Sequence, residues 1–228
     1  MISLILPYYN RQQATDKALQ VLAAYYKEAD LEVIVVDDGD PVPFKVKLTP
    51  WDTPVLPLNI KVIRLPVHDY PRSPLAAWNA GVEAASGEMI ALSQPEVLHP
   101  GPVLVEMAAE LERLGPDGYV LAAAWCPEQN RWHTHSTLPV PDCPPGTGLG
   151  FLSLLYRELY ERVGGFDEAY LGGAGYEDRD FIWRLWRAGA QFRIRDDLVV
   201  VHPKTGAKTY WKPEGFVINE AIFRKKWC

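Results

Sequence analysis

The sequence predicts an α/β fold whose central sheet is mostly parallel and flanked by helices. Three observations carry that prediction. Four short runs rich in β-branched residues, at 2–6, 32–36, 60–65 and 88–92, precede residue 93. Helical periodicity separates the first run from the second, and the third from the fourth. The runs are almost continuously apolar instead of alternating, as strands are when helices cover both faces of a parallel sheet.

Each element has its own signal. The chain opens Met1-Ile2-Ser3-Leu4 with no basic segment ahead of the apolar run, which stops at Pro7. Residues 2–6 therefore read as a strand and not as a signal peptide. A helix over 14–27 places Leu19, Leu22, Ala23 and Tyr26 on one side. Residues 41–58 hold five prolines and read as an irregular surface excursion. A second helix, 75–85, is expected to close on Ser86-Gly87 as a C-cap. Residues 139–150 form another loop rich in turn formers, and a short strand at 198–201 ends before His202.

A helix over 177–188 is the most informative stretch. At about 100° per residue, Phe181, Ile182, Leu185 and Trp186 share one face, and Asp180, Arg184 and Arg187 share the opposite one. Asp178 falls at the centre of the apolar face in the first turn. Charge aimed there is costly unless it has a chemical task. Asp180 needs no such task, because it complements the helix dipole and faces Arg184 at i,i+4.

Bulk composition bounds the function. The 228 residues are 48% hydrophobic and 23% charged, which suits one globular domain spanning 1–228. A formal charge of -6 argues against general nucleic-acid binding. Cys126, Cys143 and Cys228 have neither zinc-site nor disulfide-framework spacing. No apolar stretch approaches the roughly 20 residues of a membrane span, so a cytoplasmic protein is expected. No internal repeat is present.

In parallel sheets ligands sit at the carboxyl ends of the strands, so the residues after each strand matter most. They are Pro7-Tyr8-Tyr9-Asn10-Arg11, then Asp37-Asp38-Gly39-Asp40, then His68, Asp69 and Arg72, then Ser93-Gln94-Pro95-Glu96. Acids after two neighbouring parallel strands need donors or a cation. The acids at 37, 38 and 40 equally suit a turn cluster making Asx-type bonds.

These residues carry a resemblance. Residues 2–10, Glu32 to Gly39, Asn79-Ala80-Gly81 and Ala85 to Ile90 are similar in order and spacing to family 2 glycosyltransferases of the GT-A fold. The first half also resembles a Rossmann-type unit. Gly164-Gly165-Phe166-Asp167-Glu168, followed by Glu177-Asp178, resembles that family's C-terminal block, shared with galactosyltransferase-type catalytic domains. The resemblance implies a nucleotide-sugar-binding half at 1–98 and an acceptor and catalytic half at 99–228. It implies a nucleotide-sugar donor, UDP-linked, a hydroxyl acceptor and a divalent cation, Mn²⁺ or Mg²⁺. It places Asp38 on the base, Pro7, Tyr9 and Arg11 along the nucleotide, and Arg72 near base or phosphates. The family's DxD motif falls on Gln94-Pro95-Glu96, a departure that keeps a carboxylate at Glu96 and leaves Gln94 as an uncharged hydrogen-bonding group. His202 matches a metal-binding histidine, so Glu96 and His202 are the implied metal ligands. Imidazole, carboxylate and diphosphate oxygens together suit Mn²⁺.

The chemistry implied is single displacement with inversion, Asp178 acting as general base and Glu177 binding acceptor hydroxyls. Lys204, Lys208 and Lys212 lie in a Gly- and Pro-punctuated segment that suits either a closing loop or a solvated one. Trp125, Trp132, Trp183, Trp186 and Tyr176 are candidate sugar-stacking rings, Tyr176 being the best acceptor platform and Trp183 and Trp186 better suited to the core. His68, His99, His133 and His135 fit no ligand pattern. Two alternatives stand beside this reading. One is an impaired member that binds nucleotide or glycan without turnover, suggested by Gln94. The other is a nucleotidyltransferase, which would want a Gly-rich basic loop where Pro7-Tyr8-Tyr9-Asn10 stands.

Overall fold

Side-chain alternation along the first strands decides how the sheet is covered. β1 (Ile2–Tyr8) sends Leu4 and Leu6 to one face and Ile5 to the other. β2 (Leu31–Asp37) divides Val33 and Val35 from Ile34 and Val36 in the same way. Each such buried aliphatic side chain contributes about 2 kcal/mol, so both faces demand a layer of helices. The structure, a computed structural model, describes residues 1–46, 58–68, 73–138, 146, 148–204 and 213–228.

Parallel pairing joins β1 to β2, β2 to β3 (Asn59–Arg64), and β1 to β4 (Met89–Ser93). The sheet continues through β5 (Gly118–Cys126), β6 (Arg131–Thr134) and β7 (Leu152–Tyr156), with β7 antiparallel to both β4 and β5. β8 (Gln191–Val201) lies parallel to β5. One face carries α1 (Gln12–Tyr26) and α3 (Val103–Leu114). The other carries α2 (Leu75–Ala84), α4 (Arg157–Arg162) and α5 (Glu177–Arg187). The C-terminal α6 (Pro213–Trp227) adds Phe223 to that second core.

The α/β class and the parallel first half agree with the sequence reading, and five points differ from it. β3 is the sheet's edge and has only exposed and half-buried positions, so it lacks the double cover of its neighbours. The acids after β2 and β4 flank β1 from opposite sides instead of lying on adjacent strands. α2 ends at Ala84, with Ala85 extended, so Gly87 is no C-cap. It is a close approach: a Cβ on Gly87 would lie 2.6 Å from Ser3 Oγ, and its N–H donates to that oxygen at 2.8 Å. The sequence reading also places no element between residues 93 and 176, where α3, β5, β6, β7 and α4 lie.

The fifth difference concerns α5. Asp180 is not on a solvent face but fully buried. It accepts from Arg184 Nε at 2.8 Å, Trp227 Nε1 at 2.8 Å and Tyr170 Oη at 3.2 Å, and Lys226 Nζ lies 2.8 Å away. α6 covers the side of α5 that a single amphipathic helix would leave wet, while Trp186 is 45% exposed. Asp180→Ala strands Arg184 and Lys226 beside an empty pocket and is expected to cost about 3 kcal/mol in denaturant unfolding. A loss below about 1 kcal/mol would mark the cluster as incidental.

Candidate active site

The carboxyl ends of the parallel strands hold a first cluster. Asp37 accepts from the Asp40 and Phe44 N–H groups, each at 2.9 Å, and Asp40 accepts from Val42 N and Asn10 N. These two acids therefore serve the loop. Asp38 takes no part in those turn bonds and faces His68, with 3.8 Å between Oδ2 and Nε2. The Tyr9 ring lies parallel to the His68 ring at 5.0 Å. Gly39 makes the arrangement possible. Its φ is +71°, and a Cβ there would fall 2.0 Å from Pro66 O, so only glycine lets the turn after β2 rest on the chain after β3. His68 N then donates to Gly39 O at 3.0 Å. Pro7 stays within β1, paired with Val36. Arg72, Asp69, Lys208, Lys212, Cys143 and most of the 139–150 loop lie outside the described residues.

A second cluster forms where the segment after β4 meets the end of β8. Leu98 and Val201 exchange backbone hydrogen bonds at 2.9 Å, which carries Glu96 to His202. His202 Nε2 lies 3.4 Å from Glu96 Oε1, and the Arg11 guanidinium donates to the same oxygen. Burial raises the Glu96 carboxyl, but His202 and Arg11 outweigh it and hold the group below its ordinary range. Glu96 Oε2 and His202 Nδ1 are buried with no hydrogen-bond partner among the described residues. An anionic oxygen and an imidazole nitrogen left so are an acceptable donor set for a divalent cation. Among the described residues no third His, Cys, Asp or Glu joins them, so other ligands would come from substrate oxygens or water.

The third feature is a cavity of about 310 Å³ lined by Gln94, His133, Phe151, Glu177, Asp178 and Arg179 among others. Gln94 is anchored by its backbone, its N–H donating to Phe151 O at 3.2 Å and its carbonyl accepting from Val97 N. α5 starts abruptly at the cavity wall, because Tyr176 adopts a left-handed φ of +67°. That conformation costs an aromatic residue about 1–2 kcal/mol and delivers the next two carboxyls to the cavity. Glu177 is the more buried of the pair, with Oε2 unpartnered among the described residues, and Asp178 is half-buried. Burial, then the Asp178 charge, pushes the Glu177 carboxyl up to about 7. Burial also raises Asp178, against the opposing pull of the Arg179 N–H and guanidinium.

The proposed stacking rings are elsewhere. Tyr176 turns toward Phe223, 5.4 Å between centroids, in a separate cavity of about 210 Å³. Trp125 packs edge-on to Trp132, Trp183 stacks on Trp227, and none of the five candidates lines the larger cavity. Phe151 and Trp78 do. Lys204 is tied by its backbone N–H to Glu128 at 3.2 Å. His99 is buried on Tyr26 Oη at 3.0 Å. His68 was identifiable from its place after the third strand, whereas nothing local in the sequence singled out Phe151.

A family model described as glycosyl transferase family 2 matches residues 3–174. Chondroitin synthase from Escherichia coli is 26% identical over 250 aligned residues, covering 91% of this chain. The chain spans only 35% of that relative's length. Among solved structures, S. aureus TarS 1-349 in complex with UDP-GlcNAc superposes with a TM-score of 0.73 at 19% identity, covering 99% of this chain and 66% of that one. The mannosyltransferase PcManGT from Pyrobaculum calidifontis, in complex with GDP-Man and Mn²⁺, gives 0.67 at 21% identity over 92% of this chain and 58% of that one. These likenesses establish the GT-A fold.

The raised Glu177 carboxyl has a measurable consequence for stability. Between its ordinary value of 4.5 and about 7, the folded state holds a proton that the unfolded state has released. Stability contributed by the protonated group is present below 4.5 and lost as pH rises toward 7. Glu177→Gln is expected to flatten that decline and melt above wild type at pH 8. Parallel pH profiles for the two proteins would contradict the burial argument.

Proposed function

The chain belongs to glycosyl transferase family 2, and from that premise we propose that it is a metal-dependent inverting glycosyltransferase. On this reading it moves a hexosyl or N-acetylhexosaminyl group from a UDP-linked donor to a hydroxyl acceptor. One observation carries the reading. A single cavity is lined by Gln94, from the segment that holds Glu96, and by Glu177 and Asp178 on α5. Gln94, two residues before Glu96, and the candidate base thereby face one space.

Residues 1–98 act as the nucleotide-sugar half and 99–228 as the acceptor and catalytic half. Asp38 accepts from the base, Pro7 and Tyr9 line the nucleotide, and Arg72 is assigned near base or phosphates. Arg11 brings positive charge to the diphosphate end, and Gln94 offers an uncharged hydrogen bond. Glu96 and His202 would hold the divalent cation, which when bound offsets negative charge on the departing diphosphate. The cation in the complex of the mannosyltransferase neighbour, and the UDP-GlcNAc in that of TarS, support metal and donor class.

Asp178 takes the proton from the acceptor hydroxyl as that oxygen bonds to the anomeric carbon. The bond from that carbon to the phosphate oxygen breaks, and the nucleoside diphosphate leaves with the electron pair. Attack opposite the leaving group inverts the centre. A raised carboxyl pKa makes a stronger base, and Glu177 positions the acceptor hydroxyl beside it. Gln94 in place of an acid favours the one competing reading, binding without turnover.

A donor-hydrolysis screen with Mn²⁺, Mg²⁺ or EDTA separates the two. Asp178→Asn is expected to lose at least about 100-fold in turnover while still binding UDP. Glu96→Ala is expected to abolish the Mn²⁺ enhancement of UDP binding in calorimetry. No turnover by wild type with any donor would leave only the binding role. UDP binding that ignores both metal and Glu96→Ala would remove the metal site.

A further inference from the structure

The sugar that moves must span the space between the Glu96–His202 end and the Asp178 end, so the wall between them touches it. That wall is built of rings. Phe151, just before β7, lies 4.2 Å centroid to centroid from His202, and His133, on β6, lies 5.0 Å from His202 and 5.1 Å from Phe151. His133 and Phe151 both line the cavity that Gln94, Glu177 and Asp178 share.

Arg131, Thr134 and His135 are the neighbouring polar side chains, and Arg131 Nε donates to Gln129 Oε1 at 2.8 Å and to His133 Nε2 at 3.4 Å. Thr134 is buried within the β5–β6 ladder. His135 is held by Thr137 Oγ1 at 2.9 Å and faces Asp196 at 3.7 Å. His133 is fixed on one side only, its Nε2 lying 3.0 Å from Gln129 Oε1. Nδ1 makes no hydrogen bond to any described residue. Its ring is thus oriented by the protein and keeps one nitrogen for something else.

From this we infer that His133 contacts the transferred sugar and is a specificity-determining residue for the donor, with Phe151 as the apolar floor beside it. An aromatic face covers sugar C–H groups, and an imidazole nitrogen pairs with a sugar hydroxyl or acetamido oxygen. The inference rests on the glycosyltransferase reading. It places the selective contact on the sugar and not on the nucleotide.

The test compares two ligands on each protein by calorimetry in the presence of Mn²⁺. One is UDP, and the other is the best-bound member of a panel of UDP-glucose, UDP-galactose, UDP-GlcNAc and UDP-GalNAc. His133→Ala is expected to weaken the nucleotide sugar about fivefold while leaving UDP within about twofold. His133→Gln, which keeps a hydrogen-bonding group, is expected to recover part of the loss or to reorder the panel. Unchanged thermal melting establishes that both variants fold, and Gln129→Ala provides a second, milder disturbance of the same ring. Equal weakening of UDP and nucleotide sugar would show that His133 acts through His202, and overturns the inference. No change for either ligand also overturns it. Failure of wild type to bind UDP or any panel member overturns the inference together with the donor assignment beneath it.

Discussion

A sheet covered on both faces has only its strand ends to offer to a ligand. The aliphatic side chains of β1 and β2 point alternately into two cores, so the middle of those strands is spent on packing. The candidate nucleotide- and metal-binding groups accordingly follow the strands: Tyr9 and Arg11 after β1, Asp38 after β2, His68 after β3, Glu96 after β4 and His202 after β8. The parallel direction puts the ends of β1 to β4 along one edge. Gln94 after β4, the chain just before β7, residues of β6 and the start of α5 then line a cavity there.

The buried carboxylates divide into those whose oxygens the fold satisfies and those that keep an oxygen unpartnered among the described residues. Glu32 accepts from Ser3, Ser86 and Gly87, Asp37 accepts from two backbone N–H groups, and Asp180 is met by three donors and a lysine. Those groups are satisfied within the fold. Glu96 and Glu177 each retain a buried oxygen without a partner among the described residues. An unsatisfied buried acceptor is expensive unless something binds to it. Both lie at the proposed site, one at the diphosphate end and one at the acceptor end.

Much of this was legible in the sequence, and the reasons are specific. Uninterrupted apolar runs located β1, β2 and β4 within a residue or two, the strand-end rule pointed to residues 37–40 and 93–96, and the family resemblance chose Asp38, Glu96 and His202 as candidates. Phase along α5 separated Asp178 from the outer surface but misread Asp180. A helical wheel assumes one buried face, and α5 has a second one beneath α6. The role of Gly87 was hidden because its neighbour, Ser3, is remote in the chain. His133 and Phe151 gave no local signal either, since their meeting depends on antiparallel pairing across β5, β6 and β7. The ring of Tyr176 was misplaced because a left-handed backbone turns it away from the acids it precedes.

The account stands most directly on Asp178 acting from the side opposite the departing diphosphate. Proton NMR of the sugar first released from an α-linked nucleotide sugar, recorded before mutarotation, tests it. The account predicts the β-anomer as the first product, with release lost in Asp178→Asn. First appearance of the α-anomer, or a β-anomer released undiminished by that variant, would contradict it.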